Sequence, residues 1–176
     1  MRSLVLAAMM GLLVSLAAPP ASAETRSKLV YSSGAWQVRV VAYDSGSMKC
    51  QARVADNGYS FSVWAAPGSA VRLQFYSSRW GFNDERATLK VRIDSYPSWR
   101  LSNAHLYKHS VLFNLPNNSA GSKFLKEVAY GNRLVLSSAS GRHVHSYTLY
   151  GSKASIRALI TCVDALKGRN DRNPFD

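Results

Sequence analysis

Apolar and polar residues alternate along much of the chain, which is the pattern of β-strands with one buried face. The first such run places Trp36 and Val38 on one face and Gln37 and Arg39 on the other. Similar runs cover residues 48–54, 59–64, 71–75, 89–93, 99–101, 111–115, 134–137 and 144–149. Asn57-Gly58 separates two of these runs, and this dipeptide is typical of a tight β-hairpin turn.

Two segments instead repeat their apolar residues at the three- and four-residue spacing of a helix. A short helix is predicted near 122–130, where Gly131 stops it. A longer helix is predicted near 152–167, with Ser152 as its N-cap and Gly168 as its end. The apolar stripe of this second helix consists of Ile156, Leu159, Ile160, Val163 and Leu166.

These elements predict a mostly β protein, an antiparallel β sandwich or flattened barrel of about eight to nine strands with two helices. Strands and helices do not alternate, and the chain has no glycine-rich phosphate loop, which argues against a doubly wound nucleotide-binding fold. One domain is expected over residues 34–168, after a polar lead-in at 24–33 and before a flexible tail at 169–176. Residues 77–86 are predicted to be an exposed loop. The expected core positions on the strands are Trp36, Val38, Val40, Leu73, Leu89, Val91 and Ile93.

Residues 1–23 have the layout of a cleavable secretory signal. Arg2 supplies a positive start, residues 4–18 are almost wholly apolar, and Ala21-Ser22-Ala23 forms the small-residue end. The apolar run is too short for a spanning helix, and no later segment approaches the roughly 18 apolar residues that spanning requires. The mature chain is therefore expected to begin at Glu24 in the periplasm, without a transmembrane segment.

Cys50 and Cys162 are the two cysteines of the chain. Export to an oxidising compartment predicts a disulfide between them, and no Cys-x-x-Cys motif suggests a redox role. Such a bridge would close a very long loop, worth about 4–5 kcal/mol in the chain-entropy model. It would also dock the last helix against the second strand.

The 22 lysines and arginines outnumber the 10 aspartates and glutamates, which gives a formal net charge of +12. This charge favours attraction to anionic polymers and membrane surfaces. Cations at outward strand positions, which are the candidate polyanion-binding residues, are Arg39, Arg53, Arg72, Lys90 and Arg92. Aromatic residues near the strand ends that are candidates for stacking on sugars or bases are Tyr43, Tyr76 and Trp80. Outward positions are also polar in any sheet, and cations there discourage edge-to-edge aggregation.

His143 and His145 are two residues apart on a predicted strand, so both rings are expected on one face. They are candidate metal ligands if a third donor such as His105 or His109 folds nearby, and otherwise they are solvent-facing histidines. The ten acidic residues are scattered, and no serine lies in a G-x-S-x-G motif. We therefore assign no catalytic residue and expect no cofactor.

Several segments of the chain resemble a known family. They are Gly34-Ala35-Trp36-Gln37-Val38, Met48-Lys49-Cys50-Gln51-Ala52, Leu89-Lys90-Val91-Arg92-Ile93-Asp94, Tyr147-Thr148-Leu149-Tyr150-Gly151-Ser152 and Asn173-Pro174-Phe175. The chain resembles small exported proteins of alphaproteobacteria and, distantly, the invasion associated locus B family. This resemblance implies a periplasmic or surface-associated β protein without known enzyme activity, linked to envelope function or host interaction.

The sequence thus predicts an exported, non-enzymatic binding or envelope protein. The expected partners are an envelope glycan, lipopolysaccharide or another polyanion, or an envelope or host protein. The alternative is a secreted enzyme or metal-binding protein that uses His143 and His145.

Overall fold

The computed structural model describes residues 26–170, with side chains as far as Gly168. The predicted signal, residues 1–23, lies outside the described residues, as do residues 171–176 of the predicted tail. The elements in chain order are β1 (Arg26–Ser33), β2 (Trp36–Ala42), β3 (Met48–Asp56), β4 (Tyr59–Ala65), β5 (Arg72–Ser77), β6 (Phe82–Ile93), β7 (Trp99–Lys108), β8 (Ser110–Asn114), α1 (Ser119–Tyr130), β9 (Arg133–Ser138), β10 (His143–Thr148) and α2 (Ser152–Asn170).

The ten strands form one open antiparallel sheet in the order β1-β2-β3-β4-β5-β8-β7-β6-β9-β10. The sheet curls, because its last strand returns to the first ones. The indole nitrogen of Trp36 on β2 donates a hydrogen bond to the backbone oxygen of Thr148 on β10 over 3.2 Å. The ring of Tyr147 lies 5.9 Å from the rings of both Phe61 and Phe75. The mostly antiparallel β fold with two helices is therefore confirmed, and the curled sheet corresponds roughly to the predicted sandwich or flattened barrel.

The core fills the inside of this curl. Most strand residues predicted to face it are fully buried, whereas Val40 and Leu89 are only partly buried. The Asn57-Gly58 hairpin is also confirmed: Asp56 pairs with Tyr59, and the two turn residues have φ values of 49° and 80°. Both values lie in the left-handed region that a type I′ turn requires, which explains this dipeptide.

The strands differ from the prediction in three places. Arg26–Ser33 is not a lead-in but the edge strand β1, paired with β2. Its residues are exposed on both faces, so the segment carries no alternation. The predicted loop at 77–86 already contains the start of β6, where two register shifts against β7 interrupt the two-residue period. The third is β7, which covers Trp99–Lys108 rather than residues 99–101.

Both helices extend beyond their predicted bounds. The Asn118 side chain caps α1 by accepting hydrogen bonds from the backbone nitrogens of Ala120 and Gly121, so the helix begins three residues early. Gly168 does not end α2, which continues through Asn170 into the segment predicted as a tail. A glycine costs a helix only about 1 kcal/mol, which does not by itself stop it. Within the predicted stripe of α2, Ile160 is 57% exposed and so does not belong to the core.

The predicted disulfide is confirmed. Cys50 on β3 is bonded to Cys162 on α2, with 6.2 Å between their Cα atoms and 112 residues between them in the chain. The bond docks α2 against β3, and the helix also contacts β1 and β2. Within residues 26–170, no helix combines the length and apolar character needed to cross a membrane.

Candidate functional site

The sheet brings together only some of the five predicted cations. Strand register defines one outward row across β2, β3, β4, β5 and β8, which consists of Arg39, Gln51, Trp64, Arg72 and Asn114. Arg53 lies diagonal to Arg39 on the neighbouring strand. Lys90 and Arg92 lie on β6, which β8 and β7 separate from β5. With strands about 4.8 Å apart, the backbone of β6 is about 14 Å from that of β5, measured along the sheet.

Hydrogen bonds within the outward face hold its central side chains in place. The indole nitrogen of Trp64 donates to Oε1 of Gln74 over 2.7 Å, and Nε2 of Gln74 donates to Ser110 Oγ over 2.9 Å. Arg72 donates from Nε to Oδ1 of Asn114 over 2.8 Å. This bond uses one edge of the guanidinium, so the terminal amino groups keep donors for a ligand.

Two cavities meet at Arg72. The first has a volume of about 330 Å³, and its lining includes Tyr43, Lys49, Trp64 and Gln74. The second has a volume of about 370 Å³, and its lining includes Arg86, Ser102, Asn103 and His105. Both cavities are also lined by Arg72, Leu112 and Asn114. We call the two cavities together the outer groove.

The outer groove is cationic. Lys49, Arg72 and Arg86 line it, and no aspartate or glutamate is among its described lining residues. One carboxylate lies just outside, where Asp84 Oδ1 is 2.6 Å from Nε2 of His105. A groove lined by three such cations and by no carboxylate attracts anions.

Tyr43 adds a hydroxyl group to this groove. Burial raises the pKa of the Tyr43 phenol, and the positive charge of nearby Arg72 partly opposes that change. The phenol therefore keeps its proton at neutral pH and can donate a hydrogen bond to an anion. Its ring also lies 5.5 Å from the ammonium group of Lys49, a cation–π contact that positions the lysine.

The predicted site and the groove overlap in two residues. Arg72 and Tyr43 line the groove, whereas the other four predicted cations and the other two predicted stacking aromatics are not among its lining residues. Tyr76 packs edge-on against His109, and Trp80 packs against Tyr59 and Phe82.

The groove also contains residues that the sequence analysis did not assign to a polyanion-binding site. The main ones are Lys49, Trp64, Arg86 and His105. The sequence could have identified Trp64 as a binding residue, because it is a large aromatic at an outward position of a predicted strand.

The candidate metal ligands His143 and His145 make other contacts. A β-bulge between them breaks the two-residue alternation that predicted a common face. His145 stacks on Tyr59 with 4.1 Å between ring centres, and Nε2 of His143 is 3.0 Å from Ser146 Oγ. Burial lowers the pKa of His145.

The two histidines suggested as a third donor are also engaged elsewhere. His105 contacts Asp84, and Nδ1 of His109 contacts the backbone oxygen of Trp80. Among residues 26–170, no three histidine, cysteine or carboxylate side chains are grouped to hold a metal.

Comparison of the chain with protein-family models, curated proteins and solved structures finds no match. The residues of the groove themselves indicate which ligands it can bind. Its guanidinium and ammonium groups can bind carboxylates, sulfates or phosphates, and its amides can bind hydroxyl groups. The half-buried Trp64 offers an aromatic surface beside them.

Proposed function

We propose that this chain is an exported, non-enzymatic binding protein of the cell envelope, and that its outer groove binds an anionic polysaccharide. The observation that supports this most strongly is the combination in one groove of Lys49, Arg72 and Arg86 with Trp64. An anionic sugar chain offers the matching groups: negative charges for the cations, hydroxyls for the amides and an apolar ring face for the indole.

The disulfide supports the compartment. Such bonds form and persist in oxidising compartments, so the Cys50–Cys162 bond indicates a protein that folds outside the cytoplasm. The proposed periplasmic location rests in addition on the signal-like residues 1–23 and on the resemblance to exported alphaproteobacterial proteins.

The direct test measures binding of a heparin oligosaccharide by titration calorimetry, with neutral dextran as the control ligand. Arg72→Gln combined with Arg86→Gln should weaken heparin binding about tenfold or more, because two charge-assisted contacts are lost. The slope of log affinity against log salt should also become shallower, since fewer counterions are released.

The matched control is Lys90→Gln combined with Arg92→Gln. It removes the same charge from the second half of β6, at two positions that are not among the described lining residues of the groove. We expect it to retain affinity within about twofold, because distant exposed charges contribute little. Equal losses in the two double variants would mean that heparin contacts a diffuse basic surface, and the outer groove would no longer be the proposed site.

A further inference from the structure

A second, chemically different groove runs along α2. It lies between α1, α2 and the loop from β4 to β5, and it has a volume of about 820 Å³. Its apolar lining includes Val71, Leu125, Ile156, Ile160 and Val163. We call it the helix groove. It shares only Ala65, Ala66, Ser69 and Ala70 with the outer groove.

The helix groove leaves apolar surface open to solvent. Ile160 is 57% exposed, although the helical period assigns it to the apolar stripe of α2. Tyr130, at the end of α1, is 68% exposed and also lines the groove. Because large exposed apolar surfaces are uncommon on monomeric proteins, this clustering is a mark of binding rather than of core packing.

Cations surround this apolar lining. Lys126, Lys153, Arg157 and Lys167 line the groove, and the ammonium group of Lys153 lies 4.6 Å from the ring of Tyr130. One acidic residue, Asp164, also lines it and is paired with Lys167 over 3.1 Å. The groove therefore presents an apolar floor within reach of an excess of positive charge, and a complementary ligand carries both an apolar chain and a negative group.

From this complementarity we propose that the helix groove binds a single-chain anionic amphiphile, a long-chain fatty carboxylate. The acyl chain lies against Leu125, Ile156 and Ile160, and the carboxylate is bound by Lys153 and its neighbours. The volume falls within the roughly 300–1,000 Å³ of small-molecule sites. This site is independent of the proposed glycan function.

The probe is palmitate, measured by displacement of a fluorescent fatty acid from the delipidated protein at palmitate concentrations below micelle formation. Binding should tighten steeply with chain length, because each buried methylene strengthens it about fourfold. Laurate, which is four methylenes shorter, should bind about 250-fold more weakly. Palmitate methyl ester should also bind more weakly, because it has no charge for the lysines.

The variant Ile160→Glu tests whether palmitate binds in the helix groove, and Thr161→Glu is the matched control. Both side chains are exposed on α2, but Thr161 lines a different surface groove, on the side of α2 that faces β1. Ile160→Glu should lower palmitate affinity at least about 30-fold, because it places a like charge in the apolar floor. Thr161→Glu should stay within about threefold, and both variants should melt at the wild-type temperature.

Three outcomes would overturn the proposal. Equal effects of the two variants would place the fatty acid elsewhere. Binding to anionic vesicles without binding to monomeric palmitate would identify a membrane surface. Sedimentation showing a dimer that Ile160→Glu dissociates, with no palmitate bound, would assign the groove to a second copy of the chain.

Discussion

The outward face of β5 and the second half of β6 carry similar sequence signals but form different surfaces. On β5, Arg72 lies beside Trp64 and Asn114, within a recess that also contains Lys49 and Arg86. On β6, Lys90 lies opposite Arg100 on one neighbouring strand and Ser137 on the other. A cation opposite a cation is repelled, whereas a cation beside an amide and an indole is held in place. Arg72 and Lys90 thus differ in their neighbours across the sheet and not in their outward position.

The most destabilising variant removes the disulfide that joins β3, the strand that carries Lys49, to α2. Replacing Cys50 and Cys162 together by alanine should lower the free energy of unfolding by about 2–5 kcal/mol, because the unfolded chain gains the freedom of a very long loop. Urea unfolding of the two proteins measures the difference. The same loss should follow from reducing the wild type, and an unchanged urea midpoint in both experiments would contradict the structural role of the bond.

A second variant tests the contact that holds the two ends of the sheet together. Gly151, just after β10, has a φ of +95°, and a Cβ there would lie 1.9 Å from the backbone oxygen of Ser33 at the end of β1. Gly151→Ala should therefore lower the free energy of unfolding by about 2–4 kcal/mol, from strained backbone plus overpacking.

Gly141→Ala separates these two causes. Gly141 has a φ of +92°, but nothing lies within 4 Å of its added Cβ. Gly141→Ala should therefore lower the free energy of unfolding only by the cost of the strained backbone, about 1–2 kcal/mol. If thermal unfolding shows that both variants lose the same stability, the close approach of Gly151 to Ser33 does not add to the destabilisation.

The smallest predicted change concerns the aromatic residue of the outer groove. Trp64→Phe removes the indole that donates to Gln74 and reduces the aromatic surface, so heparin affinity should fall about three- to tenfold. Trp80→Phe is the control, because Trp80 was also a candidate for stacking but does not line the groove. Calorimetric titration of both variants makes the comparison. A larger loss in Trp80→Phe would place the stacking surface near the candidate predicted from sequence.

The parts of the fold that the sequence predicted well are those where one face is buried. Trp36, Val38 and Leu73 recur at alternate positions because only one side of their strands meets the core. The strand β1 has no buried face, so its sequence shows no alternation of apolar and polar residues. The start of β6 was missed for a different reason, since bulges shift the period there.

The candidate site was predicted only in part for a related reason. Arg72 was found because its outward position follows from its own strand. Lys49, Arg86 and His105 join it from β3, β6 and β7. The alternation within each strand does not predict the strand order β5-β8-β7-β6 that brings these residues together. A bulge adds one residue to β10 between His143 and His145, so the alternation of a regular strand does not determine which way their rings face.

The antiparallel β character, the Asn57-Gly58 hairpin, the two helices and the pairing of Cys50 with Cys162 all followed from the amino-acid sequence. Each follows from local periodicity, from turn chemistry or from the presence of just two cysteines. Tertiary structure alone decided which cations share a groove and that Ile160 stays outside the core. Both depend on strand order and on how a curled sheet packs against α2, which are properties of distant segments, and local alternation contains no information about which distant segment becomes a neighbour.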